Sequence, residues 1–218
     1  MNGFKRLQKV ICLIISLLML ASLLGGCQDS KKESSAPESS SSKSSSSESL
    51  PSDVALKYKD SVMSLQEYIA ILIELSSDES FQGDMNKSKA KAIEVGKLIL
   101  LVREKLKQSG KDLPPERKKS ARDSMYQNLY NGYSDGRSLS QAEKEEVLKI
   151  FKNVLEAAGS SMEAYEEFAE DDERQKFGIL EEHIEVKETE YDDVIVNDEA
   201  IDKVDVSTIL EAILVDSN

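Results

Sequence analysis

The sequence predicts a mainly α-helical, multi-helix domain with a small N-terminal β-hairpin, set behind a leader and a disordered tether. Three observations predict it. Apolar residues recur at helical spacing in separate stretches between residues 65 and 184. Three Ser-x-x-Glu signatures, Ser64-Leu-Gln-Glu67, Ser140-Gln-Ala-Glu143 and Ser160-Ser-Met-Glu163, mark helix starts, because serine and glutamate can each satisfy a free backbone N–H there. Gly110 and Gly159 stand where two stripes stop, and Pro114-Pro115 where another begins.

The elements follow in order. Val54 to Tyr58 and Val62-Met63, separated by Lys59-Asp60-Ser61, read as a hairpin of short strands. The first helix runs from Ser64 to about Leu75, with Leu65, Tyr68, Ile69, Leu72 and Ile73 on one stripe; the polar stretch 76–86 reads as a loop. A second helix spans about 88–109. Val95, Leu98, Ile99, Val102 and Leu106 form its stripe, and Leu100 and Leu101 widen it, which predicts a central position. Asp112-Leu-Pro-Pro-Glu116 opens the third helix, where proline loses nothing because first-turn N–H groups have no partner. Its inner face is Met125, Tyr126, Leu129, Tyr130 and Tyr133. A fourth helix from Ser140 to Gly159 buries Val147, Phe151, Val154, Leu155 and Ala158. A fifth, long helix carries Tyr165, Phe168, Ala169, Phe177, Leu180 and Ile184, with Gly178 as a kink or break. After Glu190, residues 191–196 read as a strand and 201–215 as a short helix pair.

The first 27 residues carry a different signal. Lys5, Arg6 and Lys9 precede an apolar run of about 15 residues from Val10 to Leu24, which ends in Leu24-Gly-Gly-Cys27. That is shorter than the ~20 residues a spanning helix needs, and it is the layout of a bacterial lipoprotein signal peptide with lipid attached at Cys27. A plain secretory signal or an uncleaved anchor is the alternative. Residues 1–26 are thus expected to be removed. Residues 27–52, with 13 serines among positions 28–52, form a tether with too little apolar surface to fold. Residues 53–190 are the helical domain and 191–218 an acidic C-terminal extension. The expected location is the cell membrane, lipid-anchored, on the extracytoplasmic side. The other cysteine, Cys12, lies in the leader, so no thiol remains for a disulfide or a zinc site.

Formal net charge is −13 and unevenly spread. Residues 161–218 hold 20 acidic and 4 basic side chains, whereas 27–160 hold 21 of each. Within the neutral part, 103–122 is locally basic, with eight positive side chains. Either the acidic residues are simply solvated, or the acidic segment docks on 103–122. An acidic exported chain is a poor partner for nucleic acid.

The search for catalytic sets leaves no enzyme expectation. His183 is the one histidine, and a triad cannot be built from it without a placed nucleophile and acid. The run Glu166, Glu167, Glu170, Asp171, Asp172, Glu173 points in several directions around a helix, so no metal site is expected from it. A calcium-loop reading of 131–143 fails, because its third position is Tyr133 and its twelfth is Ala142. No glycine-rich phosphate loop is present, and neither cofactor nor small-molecule substrate is expected. Met125 with Tyr126, Tyr130 and Tyr133 is the one aromatic cluster that stands out. It reads either as core packing or as a surface that contacts an unfolded polypeptide.

The order of these elements resembles the N-terminal chaperone region of SurA/PrsA-type exported folding factors, and the helical arms of trigger factor share the look. The residues that carry the resemblance are the strand pair leading to a capped helix, Gly96-Lys-Leu-Ile-Leu-Leu-Val-Arg-Glu-Lys-Leu-Lys-Gln-Ser-Gly110, Asp112-Leu-Pro-Pro-Glu116, and Ala158 to Phe168 with its acidic continuation. It covers roughly 54–190 and rests on helix order rather than fixed residues. It implies a membrane-tethered helical cradle for unfolded exported proteins. Those proteins usually continue into a parvulin-type isomerase domain of about a hundred residues. Here 28 residues follow Glu190, so isomerase activity is not expected and no catalytic residue is carried over. The competing expectation is an accessory lipoprotein that binds one specific partner of an export, cell-wall or signalling assembly.

Overall fold

The computed structural model describes residues 50–76, 84–134 and 137–206. The leader, Cys27, the tether up to residue 49 and the end of the chain from 207 lie outside the described residues. The fold is mainly helical, with a three-stranded antiparallel sheet beside the bundle.

Strands β1 (Val54–Tyr58) and β2 (Ser61–Ser64) form the expected hairpin, with an irregularity between Val54 and Leu56. Helix α1 (Leu65–Ser76) follows without a break. Its capping box forms as read: Ser64 N–H donates to Glu67 at 2.7 Å, and Glu67 N–H donates to the Ser64 hydroxyl at 3.2 Å. The stripe is wider than the spacing implies, since every residue from Tyr68 to Glu74 is buried. A helix buried nearly all round sits between other elements rather than on the surface.

Helix α2 (Met85–Gln108) starts three residues earlier than the spacing predicts, because Asp84 caps it by accepting from Lys87 N–H at 3.0 Å. It ends at Gly110, whose φ of +69° is the left-handed geometry glycine adopts at no steric cost. Ile99, Leu100, Leu101, Val102 and Leu106 are all at most 1% exposed, so α2 is the central helix. It packs against the hairpin, and Gly96 makes that possible: a Cβ there would lie 3.1 Å from both Leu56 and Met63.

Helix α3 (Pro115–Ser134) opens at the second proline. Helix α4 (Gln141–Ala157) carries the complete Ser140/Glu143 capping box and buries Val147, Phe151 and Leu155. Helix α5 (Met162–Lys176) corrects the reading of its cap and has its break where Gly178 predicts one. Its cap is Ser161, which accepts from Ala164 N–H at 3.2 Å, while Ser160 donates its hydroxyl to the Gln66 carbonyl at 2.8 Å and so ties α5 to α1. The long fifth helix stops at Lys176 and passes into a π-helical turn, Phe177–Glu181. Packing is tight there: a Cβ at Gly178 would fall 2.9 Å from Val102 of α2, so any larger residue must push a neighbour aside.

Beyond the turn, a 3-10 segment (Glu188–Asp193) leads to β3 (Ile195–Val196), which pairs antiparallel with β1 and completes the order β2-β1-β3. Helix α6 (Asp198–Asp202) is capped by Asn197. The strand is thus two residues long where six were expected. Val194, Ile201, Val204 and Val206 are buried in the same core as β1 and α1. Residues 194–206, set apart in the sequence as part of an acidic extension, close the sheet and belong to the domain.

Candidate functional site

Acidic α5 meets basic α2 and α3 through a continuous set of ion pairs. Arg103 of α2 donates from Nε to Asp171 at 2.8 Å and from Nη2 to Glu67 at 2.7 Å, and also contacts Glu167. Arg174 pairs with Asp171 from the other side. Arg122 of α3 pairs with Glu170 and Glu166, and Arg117 reaches Glu173 at 3.5 Å and Glu181 at 2.6 Å. Lys105 pairs with Glu190 at 2.7 Å, and Lys111 pairs with Glu182. Of the two readings of the charge asymmetry, docking on 103–122 holds for residues 166–190.

The centre of this network is dry. Asp171 and Glu170 are 2% exposed and Arg174 7%. Burial pushes the Asp171 carboxyl up to about 6, while Arg103 and Arg174 pull it down, so it is ionised at neutral pH. Although burial opposes its charge, Arg103 titrates above the usual arginine range because Asp171 and Glu67 hold it charged. Glu67, Glu167 and Asp171 bring carboxylate oxygens within 4.8 Å of one another, a spacing that suits a cation. The cation between them is Arg103, so the cluster is a structural one.

One face of the α3–α5 contact does not close. A cleft of about 270 Å³ lies there, lined on α3 by Ser120, Ala121, Ser124, Met125 and Asn128, and on α5 by Tyr165, Phe168, Ala169, Asp172, Glu173 and Lys176. These sets fall at helical spacing and so form one stripe of each helix. The α3 stripe has short side chains opposite the rings of α5, and two helices whose facing residues do not fill the gap leave a groove. Its lining mixes apolar side chains with the polar groups of Ser120, Ser124, Asn128, Asp172, Glu173 and Lys176.

Behind Tyr165 lies a second buried group. Tyr165 donates its hydroxyl to Glu74 of α1 at 2.7 Å, and Phe151 of α4 meets the Tyr165 ring edge-on at 4.9 Å. Glu74 is 7% exposed, and its other oxygen, Oε1, has no hydrogen-bond partner among the described residues. Burial pushes the Glu74 carboxyl up to about 7; the Tyr165 hydrogen bond lowers it and Asp172 raises it.

The residues singled out in the sequence divide among three places. Met125 lines the cleft and is otherwise buried. Tyr133 is buried in the core. Tyr126 and Tyr130 are half-buried and stacked, with centroids 6.4 Å apart; Tyr126 donates its hydroxyl to Glu166, and Lys144 of α4 lies 5.2 Å above the Tyr130 ring. Tyr126 and Tyr130 thus share one half-buried stack, and Tyr133 faces the core. Phe168, Ala169 and Asp172 are the site residues that spacing missed, since a ring facing a cleft and a ring facing a core have the same periodicity. His183 is exposed just after the π turn, at a φ of +52°.

No helix among the described residues is long and apolar enough to cross a membrane. No family model, no curated protein and no solved structure matches the chain.

Proposed function

We propose that the chain is a membrane-anchored lipoprotein, lipidated at Cys27, that holds short apolar stretches of unfolded exported polypeptides on the extracytoplasmic side without isomerising proline. The observation that carries this reading is the α3–α5 cleft. Met125, Phe168 and Ala169 in its lining, with polar groups beside them, suit a side chain taken from water, and 270 Å³ admits one or two side chains rather than a folded surface. Capture is then local and reversible, one anchor residue at a time. The order hairpin, capped helix, central helix and proline-opened helix, on which the resemblance to SurA/PrsA-type factors rests, agrees with this reading.

A second reading, an accessory lipoprotein with one dedicated partner, is favoured by a different observation. Among the described residues the exposed large apolar side chains are Val62, Ile179, Leu180 and Ile195, which is no broad apolar surface.

Light scattering separates the two. The full chain, held in lipid nanodiscs at equal molar ratio, is expected to suppress aggregation of several unrelated unfolded exported proteins. An Ala121→Trp variant, which fills the cleft, is expected to lose that effect. If no client is protected by a chain that is folded by circular dichroism, the holding reading is wrong, and crosslinking on intact cells to one partner would take its place. Anchoring has its own check: Cys27→Ala is expected to leave the membrane fraction, and a variant equally membrane-bound would refute lipidation there.

A further inference from the structure

The charge around the cleft is one-sided, and its source can be followed residue by residue. On the α5 side Asp172 and Glu173 line it, with Glu74 behind Tyr165 close enough to feel Asp172. On the α3 side the lining residues are uncharged. Lys118 pairs with Asp112 at 2.6 Å, Lys119 with Asp123 at 2.5 Å and Arg122 with Glu166 and Glu170, all outside the lining; Arg117 pairs with Glu181 and reaches Glu173 of the lining at 3.5 Å, so Asp172 is the carboxylate that α3 leaves for an incoming cation. The cation that lines the cleft is Lys176, one helical turn beyond Asp172, with Nζ at 2.7 Å from Oδ2. That pair is weak and exchangeable, with side chains 43% and 34% exposed. Glu74 adds a buried oxygen with no partner among the described residues.

A cleft lined by apolar side chains and two carboxylates fits a side chain that is apolar along its length and positive at its tip. We propose that the cleft takes a lysine or arginine side chain of the exported polypeptide, its methylene stem on Met125 and Phe168 and its cationic head on Asp172. This rests on the polypeptide-binding reading above and names the class of segment it selects. The incoming cation displaces Lys176 from Asp172, and Lys176, half-exposed, turns to water. A purely apolar occupant covers the Asp172–Lys176 pair and supplies nothing in return, which costs desolvation. An acidic occupant meets Asp172 and Glu173 directly.

The test uses the full chain in lipid nanodiscs and fluorescein-labelled, end-blocked nine-residue peptides with Leu-X-Leu at the centre, read by anisotropy. X is lysine, norleucine or glutamate; norleucine keeps the stem and removes the head. Lysine is expected to bind about tenfold more tightly than norleucine, the size of one charge-assisted hydrogen bond, and glutamate more weakly than either. Asp172→Asn is expected to erase the lysine advantage and leave norleucine binding unchanged. Lys176→Gln, which removes the competitor, is expected to tighten lysine binding severalfold. Circular dichroism checks that both variants are folded. Equal binding of lysine and norleucine, or an advantage that survives Asp172→Asn, overturns the inference and leaves the holding function standing. Failure of all three peptides to bind overturns both.

Discussion

Replacing Glu74 with glutamine tests the energetics of the core beneath the cleft. In the folded chain the Glu74 carboxyl is raised to about 7 from an ordinary value of 4.5, chiefly by burial. A raised acid binds its proton more tightly folded than unfolded. Its favourable contribution is therefore complete below pH 4.5 and is lost as pH rises to about 7, after which it is level. A shift of about 2.5 pH units at 1.36 kcal/mol each is about 3 kcal/mol. Glutamine keeps an oxygen to accept from Tyr165 and cannot ionise. Urea unfolding of wild type and Glu74→Gln at pH 4.5 and pH 8 isolates the effect, because every other titrating group is common to both. The stability of the variant relative to wild type is expected to rise by about 3 kcal/mol between the two pH values. A difference that does not change with pH would show that Glu74 is hydrated or paired, and the argument from burial would fail.

Other outcomes follow from the same geometry. Arg103→Met leaves Asp171 short of a buried partner and is expected to cost about 3–5 kcal/mol in urea unfolding; Arg103→Lys recovers only part, since one ammonium cannot fork between Glu67 and Asp171. Gly178→Ala puts a methyl group against Val102 and is expected to lower stability by about 1–3 kcal/mol, whereas Leu180→Ser, at a side chain 69% exposed, stays within about 0.5 kcal/mol. Tyr133→Ala is expected to cost about 3–5 kcal/mol. Tyr130→Ala loses a half-exposed stack and leaves the domain folded, by circular dichroism and thermal melting.

Helix starts were the most legible feature, because a cap is local chemistry: Ser64, Ser140 and Pro115 each sit where their type predicts. The exception, Ser160, shows the limit. Either serine of the pair could cap α5, and a carbonyl on another helix decides between them. The fifth helix reads with a kink or break at Gly178, and the π turn falls there; what its own stripe does not reveal is that the neighbour at that point is Val102 of α2. Charge counts located the acidic and basic segments, but pairing depends on which helices lie side by side, and that is tertiary information. The aromatic set shows the same limit on α3. Met125, Leu129 and Tyr133 take the inner arc, and Tyr126 and Tyr130 fall one step round toward the rim, where the same spacing leaves them half-buried. The cleft was invisible in the sequence since it is made by what short residues on α3 fail to fill.

The pairing of β3 with β1 governs the order in which this domain can assemble. Asn197 donates from its side chain to the Val54 carbonyl, 143 residues away along the chain, and Val206 is fully buried in the core that β1 begins. During synthesis β1 is made first and can meet β2 at once, yet its other edge stays open until nearly the whole domain has followed. Contacts of such separation close slowly, since the loop entropy must be met before they contribute. The carbonyls of Val54 and Ala55, which accept from Asn197, therefore wait for the last part of the domain, while Leu56 already has Met63 and Gly96 beside it. The edge of β1 that β3 covers is thus the last part of the sheet to be protected.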